Sequence, residues 1–215
     1  MNISIRHERE SDHRRVEEVT REAFWNLYFP GCDEHYLVYE MRTHKDFIPE
    51  LAFVVELDGK VIGNIMYTRS YVENEAGEKM ETATFGPVSI LPEYQKKGIG
   101  SKLIKHTLKL AEDIGFTSVM IFGDPHNYCK HGFKNGVDHK VSTMGGNFPY
   151  GFLVLELKKG VFEGHSWEYT PSEAYNFDRA EVEEFDKQFE PKVKEHRPSQ
   201  DIFAIQCRAT LGKNE

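Results

Sequence analysis

Apolar and polar positions recur along this chain with two different periods, and the switches between them lay out its elements. Residues 3–6 read as a short strand. Val16, Val19, Ala23 and Phe24 then recur at helical spacing behind Asp12, which stands where a helix N-cap belongs. Phe29-Pro30-Gly31 breaks that helix, and a second short one is predicted over roughly 35–43. In LAFVVELDGKVIGNIMY two β-branched runs flank Asp58-Gly59, a pair suited to a two-residue hairpin turn. A third strand over about 81–91, reached through the turn NEAGEK, completes an antiparallel meander.

Beyond the meander, Leu103, Leu110, Ala111 and Ile114 mark one helical face, and Gly115 is placed to end it. TSVMIF reads as a buried strand closed by Gly123-Asp124-Pro125. A strand, a helix and a strand sharing one core imply a right-handed crossover between parallel neighbours. The fold class is therefore mixed α/β, meander first and one crossover later. GFLVLELKK predicts a further strand, RAEVEEFDKQF a helix with Ala180, Val182, Phe185 and Phe189 near one face, and DIFAIQCRATL a last strand. Two units are expected: a domain over 1–160, and an extension over 161–215 that packs on it, being too rich in aromatics for a free tail. The face carrying Val182, Phe185 and Phe189 could serve a homodimer or cover a cleft.

Composition narrows the function classes. The 215 residues carry a formal net charge of -8, which disfavours general nucleic-acid binding and suits a cationic or amine partner. No apolar run approaches a membrane span, and the polar start MNISIRHERESDHRR does not resemble a signal peptide. Three widely spaced cysteines, Cys32, Cys129 and Cys207, argue against a disulfide framework and for a reducing compartment, so a cytoplasmic protein is expected.

The most informative stretch is ILPEYQKKGIGSKL, Ile90 to Leu103, where a strand hands over to a helix through two glycines and two lysines. Glycines let the backbone turn tightly and approach a ligand. The first N–H groups of a helix lack internal partners, and its dipole adds partial positive charge. Together these make a phosphate site. The Walker pattern fails because Gly100 is followed by Ser101-Lys102, and the dinucleotide fingerprint fails because Leu103 stands at its third glycine.

GPVSILPEYQ followed by Q-x-x-G-x-G and an amphipathic helix resembles the acyl-CoA-binding motif of the GNAT superfamily of N-acetyltransferases. GDPHNYCKHGF and FLVLELKKG resemble two later blocks of its bacterial, YhbS-like members. The resemblance covers about residues 3–160. It implies the GNAT fold: a mixed, mostly antiparallel sheet with a central splayed parallel strand pair, flanked by helices. It further implies acetyl-CoA as co-substrate, no metal, and direct transfer to an amine. Backbone amides of Lys96, Lys97, Gly98, Ile99, Gly100 and Ser101, with Gln95, would hold the CoA pyrophosphate. Val88 and Ile90 would pair with the pantetheine arm, and Asn127 and Tyr128 would meet the cofactor from the second block. Asn127 replaces the first Tyr of the family's pair, and His131 replaces a Phe.

Acetyl transfer needs a neutral amine, a donor for the developing oxyanion and a proton for the leaving thiolate. The resemblance makes Tyr128 the candidate acid and Glu81 the candidate base, with Asp124, His126 or a water chain as alternatives. The acceptor would meet FWNLYFPGCDEHYLVYE, where Tyr28, Phe29 and Tyr36 form an aromatic wall, Asp33, Glu34 or Glu40 meets an ammonium, and Trp25 and Tyr39 belong to the core. His126, Cys129 and His131 match no common zinc spacing. The expected acceptor is a small primary amine. A protein N-terminus or lysine is the alternative within enzymes, and an inactive acyl-CoA-binding sensor is the alternative outside them.

Overall fold

The structure, a computed structural model, describes residues 3–212. A short strand β1 (Ile3–His7) leads into α1 (His13–Phe24) and α2 (Glu34–Met41). The meander follows as β2 (Phe53–Leu57), β3 (Lys60–Asn74) and β4 (Lys79–Ile90). Asp58 and Gly59 both take positive φ, 47° and 82°, as their hairpin turn requires. Asp12 precedes α1 but does not cap it: its carboxylate accepts from Arg9 N at 2.8 Å and pairs with Arg6 at 2.6 Å. That guanidinium holds the Asp12 carboxyl below the usual range.

The crossover is α3 (Ile99–Asp113) followed by β5 (Ser118–Phe122). Gly115, at φ 104°, ends α3, and Phe116 N–H reaches back to Ala111 O at 3.0 Å. β5 runs parallel to β4, but only Ala83 with Val119 and Thr84 with Met120 are in register. Past these pairs the two strands part. A short helix α4 (Pro125–Tyr128) follows β5. The two-residue strands β6 (Lys134–Asn135) and β7 (Val141–Ser142) lead to β8 (Phe152–Glu156), antiparallel to β5. The sheet order is β1-β2-β3-β4-β5-β8-β6.

The C-terminal stretch does more than pack on the sheet. Within it, β9 (Trp167–Thr170) pairs antiparallel with β3 over Tyr71–Asn74 and parallel with β7. Its alternating burial, Trp167 and Tyr169 in and Glu168 and Thr170 out, is a period-2 signal. α5 (Arg179–Asp186) lays Val182 and Phe185 with Phe189 against Tyr36, so this apolar face is consumed within the chain. Residues expected to form a last strand instead form α6 (Pro198–Arg208). Pro198 in the first turn supplies the fixed φ of a helix start, which outweighs the β-branched content of DIFAI. Trp25 is buried as expected, while Tyr39 is 48% exposed and packs at a tilt on Phe185, ring centroids 4.7 Å apart. No helix among the described residues is long and apolar enough to cross a membrane.

Arg21 fastens the extension. Its Nε lies 2.7 Å from Asp186 Oδ1 with the side chain 4% exposed. His35 Nε2 lies 3.1 Å from the same oxygen, and Cys32 Sγ is 3.4 Å from His35 Nδ1. Burial pushes the Cys32 thiol up and His35 down, so both stay neutral beside the Arg21–Asp186 ion pair and Cys32 is no nucleophile. Asp186→Ala leaves the Arg21 charge buried without a partner. Urea unfolding should show a loss of about 3 kcal/mol, and a loss under about 0.5 kcal/mol would mean that the pair holds nothing.

Candidate active site

Where β4 and β5 part, a cleft of about 750 Å³ opens. Its lining runs along β4 from Thr84 to Ile90 and continues through Gln95, Lys96 and Gly98–Ser101 into α3. Phe122, Asn127, Tyr128, Lys130 and His131 face it from the β5 side, and Phe24, Leu27, Tyr28, Glu34 and Leu37 from the first two helices and the loop between them. β3 pairs with one edge of β4 through Phe85, Val88, Ser89 and Ile90. The other edge loses β5 after Thr84 and is left open along the cleft.

The glycine turn is shaped for close approach. Lys96 and Gly98 both take positive φ, 58° and 78°, and a Cβ built on Gly98 would meet nothing within 4 Å. Successive N–H groups in such a bend form a concave anion nest. The first bond of α3 runs from Lys102 N–H to Gly98 O at 3.1 Å, so the N–H groups of Ile99, Gly100 and Ser101 lack helical partners. Gln95 acts one step back: its amide donates to Ile90 O at 2.9 Å and ties the turn to the end of β4. Lys97 does not line the cleft. Its Nζ donates to Glu93 O at 2.8 Å, near the Tyr94 ring.

Tyr128 enters the cleft from α4. Asp124 caps this helix by accepting from His126 N–H at 3.0 Å, and the turn carries His126 outward. A Cβ on Gly123 would come within 2.4 Å of the Tyr128 ring, so only glycine lets that ring lie over the backbone. Phe85 and Phe133 pack around the ring at centroid distances of 5.9 and 6.1 Å. Burial, with Asp124 adding to it, pushes the phenol up to about 12. Both ring nitrogens of His131 are buried without a protein partner, and burial keeps that imidazole below its ordinary value.

The acceptor-side aromatics divide. Tyr28 lines the cleft and stacks on Phe203 of α6 at 4.2 Å. Phe29 lies outside it, under the Arg179 guanidinium at 5.2 Å. Tyr36 is buried among Phe177 and Phe185. Helical geometry explains the split: Glu34 and Leu37 are three residues apart and share the cleft face, while Tyr36, two residues from Glu34, faces away. Glu81 also lies outside. It precedes the parting of β4 and β5, sits exposed opposite Tyr71, and ion-pairs with Arg69 at 3.4 Å. The base role expected for it has no geometric support. Among the described residues, no three His, Cys, Asp or Glu side chains gather in a metal-binding group.

Sequence reasoning missed the wall supplied by the C-terminal stretch. Tyr169, Pro171 and Tyr175 line the cleft. A run of hydroxyls, Ser70 with Thr84 at 2.8 Å and Thr84 with Tyr169 at 2.7 Å, pins β9 to the point where β4 leaves β5. Tyr175 OH donates to Gly86 O at 3.3 Å. The alternation in WEYT was the available signal.

These features agree with what the chain resembles. The model of the acetyltransferase (GNAT) family matches residues 21–133, just over half of the chain, and the chain belongs to that family. It is similar to two uncharacterized N-acetyltransferases of Escherichia coli K12. YjhQ is 27% identical over 124 residues, 58% of this chain and 65% of YjhQ, so the match spans slightly less than two thirds of that relative. YhbS is 27% identical over 144 residues, 66% of this chain and 83% of YhbS. Among solved structures, a GNAT family acetyltransferase from Brucella melitensis in complex with acetyl-CoA is 26% identical with a TM-score of 0.64, covering 81% of this chain and 99% of that one. E. coli YhbS in complex with CoA has a TM-score of 0.70 at 23% identity, covering 81% and 92%, and shows the shared fold.

The raised Tyr128 phenol holds its proton throughout the neutral range. Absorbance near 295 nm of the wild type minus Tyr128→Phe should show no phenolate from this residue below about pH 11. A difference signal rising near pH 9 would contradict its buried setting.

Proposed function

We propose that the chain is an acetyl-CoA-dependent N-acetyltransferase acting by direct transfer to the primary amine of a small molecule. The observation that carries this reading is the open edge of β4 running from the glycine turn at Lys96–Ser101 to the neighbourhood of Tyr128. The positive-φ nest and the orphan N–H groups of α3 suit the CoA pyrophosphate, with Lys96 beside it. Val88 and Ile90 lie where an extended pantetheine arm would add to β4 as a strand does. His131 and Asn127 offer polar groups to the same ligand.

Catalysis then rests mainly on holding thioester and amine together in one cleft. The amine attacks the thioester carbonyl, and as the C–S bond breaks the sulfur takes the Tyr128 proton. A neutral phenol suits that role because it keeps its proton until the thiolate forms. Tyr169, Pro171, Tyr175 and the Tyr28–Phe203 stack narrow the acceptor side, which favours a small amine over a protein chain.

Calorimetric titration should show saturable binding of acetyl-CoA and CoA, and none of ATP or NADH. Tyr128→Phe should bind acetyl-CoA within about threefold of the wild type yet lose about 100-fold in kcat for amine-dependent thiol release. Unchanged turnover would remove Tyr128 from the acid role, and no acetyl-CoA binding by the wild type would overturn the whole reading.

A further inference from the structure

The shielded carboxylates of this chain meet arginine or, for Asp46 and Glu156, a histidine at 3.6 and 3.7 Å. Asp12 meets Arg6 at 2.6 Å, Glu8 and Glu17 meet Arg42 at 2.7 and 3.0 Å, and Asp186 meets Arg21 at 2.7 Å. Asp33 faces the positive charges of Arg179 and Lys194. Glu34 is the exception. It lines the cleft among Ala23, Phe24, Leu27, Tyr28 and Leu37, and among the described residues no cation lies within ion-pairing distance of it. The carboxylate accepts from Asp33 N–H at 3.1 Å and from its own backbone N–H, both neutral donors that leave its charge without a counter-ion.

A carboxylate placed in an apolar wall without a counter-ion is costly unless a ligand supplies the charge. We propose that Glu34 receives the acceptor's ammonium group and takes its proton, and that the acceptor is a singly charged primary amine with an apolar body, as in an arylalkylamine. This rests on the acetyl-transfer reading above. The wall offers one negative group and otherwise carbon and the Tyr28 ring. A second ammonium, or a row of hydroxyls, would be desolvated there without partners.

The proton count closes. Glu34 takes one proton from the ammonium, leaving a neutral amine and a carboxylic acid. The amine lone pair forms the N–C bond to the thioester carbon, and collapse of the adduct breaks the C–S bond. Sulfur takes the Tyr128 proton, the second nitrogen proton returns to the Tyr128 oxygen, and Glu34 later releases its proton to water. Each amide formed thus liberates one proton. The same apolar surroundings that raise a carboxyl lower an ammonium, which brings the two groups toward a common range.

The titratable groups around Glu34 are Asp33 and Cys32 at the start of α2 and Tyr28 on the preceding loop. Tyr128, Asp124 and Cys207 lie beyond Tyr28. Desolvation, with Asp33 adding to it, pushes the Glu34 carboxyl up to about 7. Below that pH the group is already protonated and cannot accept, so kcat/KM should fall as pH falls.

Thiol release from acetyl-CoA would be followed with 2-phenylethylamine, spermidine and a lysine-containing peptide. The expected order places phenylethylamine at least about tenfold above the others, with a unit-slope rise of log kcat/KM bending near pH 7. Glu34→Gln should lose about 100-fold or more in kcat/KM, lose the bend, and still bind acetyl-CoA in the calorimeter, which reports an intact fold. Glu34→Asp should retain the bend at reduced rate. A Glu34→Gln enzyme within about threefold of the wild type with the same pH profile would overturn the role of Glu34 while acetyl transfer stands. Preference for spermidine or the peptide would overturn the acceptor class. A wild type that neither binds acetyl-CoA nor transfers would overturn both readings together.

Discussion

The parting of β4 from β5 after a two-residue register is the constraint from which the site follows. Strand edges are ordinarily paired or covered, because exposed N–H and C=O groups invite another strand. Here one edge is left open inside the molecule while β3 holds the other, so the opening is rigid on one side and ready for an extended ligand. The crossover that follows makes the parting possible. α3 starts at the end of β4 and returns the chain to β5, whose far end turns instead into α4 and presents Tyr128.

Each wall of the opening is anchored by a different kind of interaction. Core packing of Leu103, Ile104, Leu108 and Ala111 fixes α3, and with it the glycine turn at its start. The Ser70–Thr84–Tyr169 hydroxyls fix the base of the gap from the C-terminal side. Arg21 and Asp186 clamp α5 to α1, and α6 adds Gln200 Nε2 to Asn26 O at 3.0 Å and the stack of Phe203 on Tyr28. The extension is thus a structural partner of the acceptor side, which ties the stability of its anchors to the shape of the cleft.

The elements built from local signals were legible in the sequence. Asp58-Gly59, Gly98 and Gly115 each need a backbone that few other residues supply, and the structure uses each that way. The turn from Lys96 to Ser101 followed from the same local pattern, whereas Tyr128 came from the family resemblance. What was not legible depends on which face a side chain takes. Glu81, Phe29 and Tyr36 sit near the cleft in sequence but face Arg69, Arg179 and the α5 cluster. α6 was misread because β-branched content suggests a strand while Pro198 at its first turn fixes a helix. Glu34 was one of three acidic candidates, and its place in the cleft wall and its cation-free surroundings set it apart from Asp33.

A crystal structure of the protein with acetyl-CoA tests the account most directly. The account predicts the pyrophosphate on the main-chain N–H groups between Lys96 and Ser101, the pantetheine arm extended along β4 from Ile90 toward Thr84, and the thioester sulfur beside the Tyr128 hydroxyl. Acetyl-CoA bound elsewhere, or with its thioester directed away from Tyr128 and Glu34, would contradict it.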